Sequence, residues 1–468
     1  MESEEVAVLV DEFDIVALGG GPAGYATALY GAAAGLNVAL VEEGRIGGTC
    51  LHRGCIPAKE LLQTADVLRT VQEASDFGVN AGEPMLDLGR AQARKQEVVD
   101  KLTNGLETLL KGRNVTVVQG RGQVVDGAAH RVRVADGTEL AGRNLVVATG
   151  SAPRPLAGLD FDGARILSSD HVLELTDLPP RVAIVGGGVV GAEFASMLID
   201  MGSEVTVLEA LPRILSTVET EVASVVTRSF KKRGVNVQEG VRITGIDGAR
   251  ELTVSWDADS GAQSVVVDKV IVSIGRAPLS NGIGLEAASI NVDDRGFVVV
   301  DPQCRTSVDG VFAAGDVIDT PQLAHVGFME AILVVKTILG EAATPIDYEK
   351  VPWVIYCRPE VAWCGLTEEQ ARERGHDVVV AKHRFAGDGR AQIIGETEGL
   401  VKLVTDADGL VLGVHVVGPW ATELLAEGYL SVNWEANAAD LAALVHPHPT
   451  LSEVFGEAAL ARIGRPLH

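Results

Sequence analysis

The chain has 468 residues, 47% of them hydrophobic and 53 of them glycine, enough for large cores joined by many tight turns. That length corresponds to about three domains on the usual size prior. A formal net charge of −25 argues against nucleic acid or an anionic membrane as a partner.

The first five residues, MESEE, lack the basic start of a signal peptide, and no apolar run reaches the roughly 20 residues that cross a bilayer. Five cysteines in so long a chain fit a reducing compartment, where a disulfide is more often catalytic than structural. The expectation is a soluble cytoplasmic protein.

Residues 13–18, FDIVAL, read as a buried strand. They run into Gly19, Gly21 and Gly24, which satisfy G-x-G-x-x-G, and then into an alanine-rich helix. A second strand over 36–41 ends at Glu42. Such glycines permit a tight turn and close approach of a pyrophosphate to a helix N-terminus, and the acid hydrogen-bonds a ribose hydroxyl. A lone glycine motif is weak; with its strand, helix and acid in place it is a dinucleotide fingerprint.

Residues 47–59, GGTCLHRGCIPAK, place Cys50 and Cys55 between glycine-rich turns and a helix-prone run. Two buried thiols acting as small hydrophobes are one reading. A zinc site is another, but no matching Cys/His pair follows, so no metal is expected. A redox disulfide ranks first, because reactive cysteine pairs favour helix N-termini, where the dipole lowers the thiol pKa.

Residues 144–151, NLVVATGS, form a strand ending in small residues. A second fingerprint then repeats the first: a strand over 182–185, then Gly186, Gly188 and Gly191, then a strand over 204–208 ending at Glu209. In both, the acid lies 23 residues after the first glycine (Gly19 to Glu42, Gly186 to Glu209). Two dinucleotides are implied. Glu209 repels a 2′-phosphate, so the second site reads as NAD, with Arg213 nearby as the one contrary sign. Residues 270–276, VIVSIGR, resemble 144–151. Residues 311–316, VFAAGD, end in Asp316, which is either a helix N-cap or an acceptor for a cofactor's ribityl hydroxyls.

From about Tyr348 the pattern changes. Apolar or alternating segments at 355–356, 378–381, 400–404 and 410–417 predict an antiparallel sheet, with helices over 367–374 and 421–434. Near the end stands HPHPTLSE, residues 446–453. His448 suits a base oriented by Glu453, although Thr450-x-x-Glu453 also reads as a capping box and most histidines are structural.

Taken in order, GGTCLHRGCIPAK, ATGS, GGGVVGAEFA, SIGRAP, AAGD and HPHPTLSE strongly resemble the pyridine nucleotide–disulfide oxidoreductases, and within them the branch that oxidises dihydrolipoamide. The match runs from about Phe13 to the C-terminus. It implies an α/β protein with two Rossmann-like domains and a C-terminal α+β dimerisation domain. The FAD-binding domain would span 1–152 and return over 279–347, with the NAD-binding domain at 153–278 and the dimerisation domain at 348–468. It also implies a homodimer in which the partner chain completes each active site.

By the same resemblance, Cys50 is the thiol that meets the substrate and Cys55 the thiol that forms a charge-transfer pair with the flavin. Lys59 would lie beside flavin N5 and pair with Glu193, while His448 is the base and Glu453 its orienter. Gly19, Gly21, Gly24, Glu42, Thr49, Gly122, Thr149, Gly150, Ser151, Asp316 and Ala324 match FAD contacts, and Gly186, Gly188, Gly191, Glu209 and Gly275 match the NAD site. Departures are modest: His52 and Arg53 between the cysteines, Ala58 before the lysine, Pro447 before His448. Cys304, Cys357 and Cys364 are scattered and read as core thiols.

The implied activity is oxidation of protein-bound dihydrolipoamide by NAD⁺, with lipoyl domains of 2-oxoacid dehydrogenase or glycine cleavage complexes as partners. A reductase of glutathione- or mycothione-type disulfides is the neighbouring reading. A non-catalytic flavoprotein scaffold is the one from another class.

Overall fold

In the computed structural model, which describes residues 9–259 and 261–468 with side chains from Phe13 onward, the chain divides into two units. The first runs to Glu60 and adds Gly89–Arg154 and Gly275–Tyr348; the second comprises Leu61–Leu88, Pro155–Ile274 and Glu349–His468.

The first unit is built on a parallel sheet. The carboxyl halves of its central strands, Leu9–Leu18, Val38–Glu42 and Glu139–Val147, are apolar runs (Ile15–Leu18, Val38–Val41 and Leu145–Val147) buried on both faces. Thr116–Gln119 pairs beside Val38–Glu42, and Val311–Ala313 pairs with the second half of Glu139–Val147. An antiparallel hairpin, Gly122–Asp126 and Arg131–Val134, takes the first half of that strand. Leu18 stands opposite both Val41 and Val147, and Ala313 opposite Val147. The loops after all four strands therefore emerge on one carboxyl edge. Helices Pro22–Ala33 and Ala324–Ile338 pack on each other, the first starting with proline at its opening position. Helix Leu88–Gly112 buries Ala91, Lys95, Val99, Thr103, Leu106 and Leu110, one stripe at three- and four-residue spacing.

The second unit repeats the parallel device in the order Asn236–Glu239, Glu204–Glu209, Arg181–Val185, Lys269–Val272, Ile166–Leu167. Val185 stands opposite Leu208 and Val272, so Gly186, Glu209 and Ser273 share one edge. Its C-terminal part is an antiparallel sheet, Trp353–Ile355, Glu360–Gly365, Val411–Gly418, Leu400–Thr405, Val379–Arg384, covered by helices Ala421–Asn433 and Glu453–Arg462. The strand Glu360–Gly365 was not among the expected ones. It opens on a glutamate after Arg358-Pro359, which hides the apolar run VAWC. No helix among the described residues is long and apolar enough to cross a membrane.

A buried lysine ties the two halves of the second unit. Lys402 Nζ lies 2.8 Å from Glu219 and 2.7 Å from Glu368, with the side chains of Lys402 and Glu219 almost wholly buried. Burial raises the Glu219 carboxyl, but the Lys402 ammonium and the Glu368 amide outweigh it and hold it below the ordinary range. Burial likewise opposes the charge on Lys402, yet the two carboxylates raise its pKa overall. Removing one partner of such a pair leaves a buried charge uncompensated. Lys402→Met is expected to cost about 3–5 kcal/mol in urea unfolding, and adding Glu219→Met should recover much of it. Because the Glu219 pKa is depressed in the folded state, the difference between wild type and Lys402→Met should be flat near neutrality. It should shrink as pH falls through the carboxylate range.

Candidate functional site

At the carboxyl edge of the first sheet the glycines have separate jobs. Gly19 adopts φ +108°, and a Cβ there would lie 2.3 Å from the Ala148 carbonyl oxygen. A Cβ on Gly24 would lie 1.7 Å from the Gly19 carbonyl oxygen, so strand and helix approach too closely for any side chain. Gly21 instead faces open space, its nearest neighbour being Gly48 Cα at 3.9 Å. The second fingerprint is built alike: a Cβ on Gly191 would lie 2.0 Å from the Gly186 carbonyl oxygen, while nothing lies within 4 Å of one on Gly188. In each loop the middle glycine leaves room for a phosphate before a helix N-terminus.

The acids close these loops. Glu42 accepts from the Gly20 and Gly44 amides, both at 2.6 Å, and Glu209 from the Gly187 and Leu211 amides at 2.6 and 2.8 Å. The common 23-residue offset therefore has a structural reason beside the ribose contact assigned from sequence. A carboxylate has about four acceptor sites, so both duties are compatible. Arg213 turns its guanidinium to the Ser216 and Val218 carbonyls.

The cysteine segment docks on the first glycine loop. The Gly47 amide donates to the Gly20 carbonyl, and a Cβ on Gly48 would lie 2.6 Å from Gly21 Cα. Cys50 lies in the short helix Gly48–His52 with half-buried Thr49, and Cys55 begins the helix Cys55–Gln72. Both cysteines are half-buried and near disulfide distance. The Cys50 thiol is pushed far above its ordinary range, first by its hydrogen bond to Cys55 and then by burial; the Lys59 ammonium opposes this and Asp316 adds to it. Lys59 stands four residues after Cys55, one turn along the same helix. His52 Nε2 donates back to the Ile46 carbonyl at 2.8 Å, and Arg53 is exposed.

Tyr25 was not singled out from sequence. Burial, and then the negative charge of Cys50 and Cys55, push its phenol up to about 12. Its ring lies 5.7 Å from that of Phe328. The available signal was its place immediately after Gly24, on the first turn of the fingerprint helix.

Beside the pair, the segments after Val147, Ala313 and Gly275 converge within the first unit. Ser151 Oγ donates to Asp316 Oδ2 at 2.6 Å, and Arg276 donates to the Ser151 hydroxyl and carbonyl, both at 2.7 Å. Asp316 is therefore an acceptor in a side-chain network rather than a helix N-cap. Thr149 Oγ1 donates to the Leu279 carbonyl, and the Gly150 carbonyl accepts from the Leu279 amide. Gly275 and Gly150 take φ of +114° and +74° with open space around them. Ala324 is the first residue of its helix. The turn before Asp316 hangs on fully buried Glu330, which accepts from the Gly315 amide, Thr320 and Tyr348. Burial raises the Glu330 carboxyl despite those bonds. An acid inside an otherwise apolar helix was its sequence signal. Gly122 is buried, and a Cβ there would lie 2.5 Å from Leu18 and 3.0 Å from Val41, so packing alone accounts for glycine.

In the second unit His448 Nδ1 lies 2.9 Å from Glu453 Oε1, with the His448 side chain 76% exposed. The capping box forms by half. Glu453 Oε2 accepts from the Thr450 amide at 2.8 Å, but the Thr450 hydroxyl goes to the Pro447 carbonyl and to Ser452. One carboxylate thus both finishes the helix start and orients the imidazole. Burial raises the Glu453 carboxyl, but the Thr450 amide and His448 outweigh it and hold it below the ordinary range. Glu193, 5% exposed, accepts from the Tyr356 amide at 3.0 Å. Cys304, Cys357 and Cys364 are buried. Among the described residues no group of three or more His, Cys, Asp or Glu is arranged to hold a metal ion.

Residues 13–331 match the family model described as pyridine nucleotide-disulphide oxidoreductase, and residues 351–459 match that family's dimerisation domain. A protein named dihydrolipoyl dehydrogenase from Bacillus subtilis (strain 168) is 40% identical over 474 residues, covering 98% of this chain and 100% of its own. One of the same name from Thermus scotoductus is 40% identical over 461 residues, covering 97% and 98%. Among solved structures, LpdA from Mycobacterium tuberculosis superposes with a TM-score of 0.89 at 29% identity, covering 96% of this chain and 99% of that one. The HOCl-induced flavoprotein disulfide reductase RclA from Escherichia coli gives 0.84 at 28% identity, covering 95% and 99%.

The two classes of glycine separate by experiment. Gly188→Val should weaken nucleotide binding tenfold or more, measured by titration, while leaving the melting temperature within a few degrees. Gly191→Val should lower the melting temperature itself, because its side chain meets backbone.

Proposed function

The chain belongs to the pyridine nucleotide-disulphide oxidoreductase family, and we propose that within it this protein oxidises dihydrolipoamide to lipoamide, moving two electrons through Cys50, Cys55 and FAD to NAD⁺. The observation that carries the reading is the close contact between the two cysteine sulfurs at the start of a helix, with Lys59 one turn along it. The full-length relatives named dihydrolipoyl dehydrogenase support the choice of substrate.

The residues fit FAD in the first unit. Gly21 leaves an open cradle before a helix N-terminus, Glu42 and Asp316 offer acceptors for sugar and ribityl hydroxyls, and Thr49, Thr149, Gly150, Ser151 and Ala324 border the same edge. Gly186, Gly188, Gly191, Glu209 and Gly275 are assigned to the pyridine nucleotide. Glu209 supports NAD over NADP by charge, and Arg213, engaged with backbone carbonyls, is not presented to a 2′-phosphate.

In the proposed cycle His448 takes a proton from a substrate thiol, and the thiolate attacks Cys50 Sγ of the oxidised pair. The S–S bond breaks and Cys55 leaves as a thiolate beside the Lys59 ammonium. The second substrate thiol then displaces Cys50, closing the lipoamide ring; His448 gives its first proton to the departing Cys50 sulfur and takes the proton of the second thiol, so Cys50 leaves as a thiol. The raised Cys50 pKa keeps that proton in place, so the reduced pair carries one negative charge rather than two. When bound, FAD would supply two-electron transfer from this thiolate–thiol pair to NAD⁺, which restores the disulfide. Glu453 holds the imidazole throughout, and its depressed pKa keeps it ionised near neutral pH.

The match to a dimerisation domain, and the exposed Trp434, Leu444 and Val445, support a homodimer in which the partner's His448 serves each cysteine pair. A lipoyl arm on another protein, in a 2-oxoacid dehydrogenase or glycine cleavage complex of the cytoplasm, is the proposed natural substrate.

Steady-state turnover tests the assignment. Dihydrolipoamide with NAD⁺ should be preferred by orders of magnitude over NADPH with glutathione or mycothione disulfide; the reverse preference refutes it. Cys50→Ser should abolish lipoamide turnover while FAD stays bound. His448→Gln should lower turnover by about 10²–10⁴, the contribution of a positioned base.

A further inference from the structure

The HPHP segment holds two histidines, and only His448 enters the mechanism above. His446 has a carboxylate of its own. Its Nε2 lies 2.9 Å from Glu427 Oε1 on helix Ala421–Asn433, and its side chain is 12% exposed. The same ring lies against helix Glu453–Arg462. A Cβ on buried Gly456 would come within 2.6 Å of His446 Nδ1, so only glycine leaves room for the imidazole there. Gly456 is three residues after Glu453, on the same side of the helix. His446 therefore sits between the helix that carries Glu427 and the helix face that presents Glu453, two residues before His448 in the chain.

The pair is costly to keep unless it does something. The imidazole, 12% exposed, and the carboxylate, 26% exposed, give up part of their hydration, which apolar residues in the same space would not. What they provide is direction: the hydrogen bond fixes the ring, and the ring fixes where the His448 loop leaves the helix. The charge on His446 is also felt at Glu453, where it helps to hold the carboxylate ionised.

We propose that His446 and Glu427 form a second histidine–carboxylate pair that positions the base, clamping residues 444–451 so that His448 and Glu453 stay aligned for proton transfer. His446 and Glu427 are positioning residues, with no contact to the reacting sulfurs required. The inference rests on the proposed role of His448. It differs from that role in predicting which reactions suffer when the clamp is released.

The holoenzyme carries the test. Reduction of ferricyanide by NADH runs through the flavin and needs no base at the cysteines, whereas dihydrolipoamide oxidation does. Glu427→Ala and His446→Leu should each lower kcat for dihydrolipoamide about tenfold with KM for NAD⁺ unchanged, and leave NADH–ferricyanide turnover within twofold. Glu427→Gln, which can still accept from His446, should restore most of the loss. Equal loss in both reactions, or no difference between Glu427→Ala and Glu427→Gln, overturns the proposal. Should His446→Leu fail to fold, Gly456→Ala displaces the ring while keeping every polar group and must give the same split.

A readout free of substrate separates this inference from the functional one. The rate of diethyl pyrocarbonate modification at His448, followed by peptide mass mapping, should rise at least threefold when the clamp is broken by Glu427→Ala. An unchanged rate refutes the clamp. Wild-type enzyme inert toward dihydrolipoamide, but with that rate change in the variant, refutes the functional reading alone.

Discussion

In-register parallel pairing at the ends of Leu9–Leu18, Val38–Glu42 and Glu139–Val147 is the constraint on which the first unit depends. A parallel ladder delivers every following loop to the same edge, so Gly19, Glu42, Ala148 and Ala314 meet there although 295 positions separate the first from the last. A slip of one residue would swap each strand's side chains between the two buried faces, breaking their packing on both, and scatter the loops. The burial of both sheet faces fixes the register, and the register assembles the site. The second unit uses the same logic for Gly186, Glu209 and Ser273.

Close packing then sets the shape of each loop. Gly24 against the Gly19 carbonyl, and Gly191 against the Gly186 carbonyl, leave no space for a methyl group, whereas Gly21 and Gly188 look onto open space. Three glycines spaced alike thus divide into two required by close backbone packing and one that leaves the loop open. The acids show the same economy. Glu42 and Glu209 hold their loops through backbone amides while keeping acceptor sites to spare, and Glu453 both caps its helix start and orients His448.

Electrostatics distinguishes the reacting groups from the groups that hold them. Around the cysteines, burial and the mutual thiol contact work against Lys59, and the outcome is a reduced pair that keeps one proton. Asp316 is paired with the Arg276 guanidinium and the Ser151 hydroxyl, while Glu330, bonded to the Gly315 amide just before it, is driven toward its neutral form by burial. Two acids near one backbone turn thus serve different ends because one is paired with a guanidinium and the other with amide and hydroxyl donors.

Much of this was legible in the linear order of residues. The two fingerprints, the cysteine pair, the small-residue strand ends and the HPHPTLSE run are local patterns, each within about 25 positions, and their chemistry depends on spacing along one strand, turn or helix. The strand Glu360–Gly365 was missed because its polar start after a proline masks a short apolar run, and half of the capping box failed because the Thr450 hydroxyl found the Pro447 carbonyl instead. Tyr25 beside the thiols, Glu330 beneath Gly315, Arg276 on Ser151 and His446 against Gly456 could not be read in advance. Each is a contact between different elements of the fold that no fixed spacing along one strand, turn or helix dictates, and only the packing of those elements decides which side chains meet. Residue order settled which chemistry the chain carries; folding settled which neighbours hold it, because charge, burial and hydrogen bonding act through space and not along the sequence.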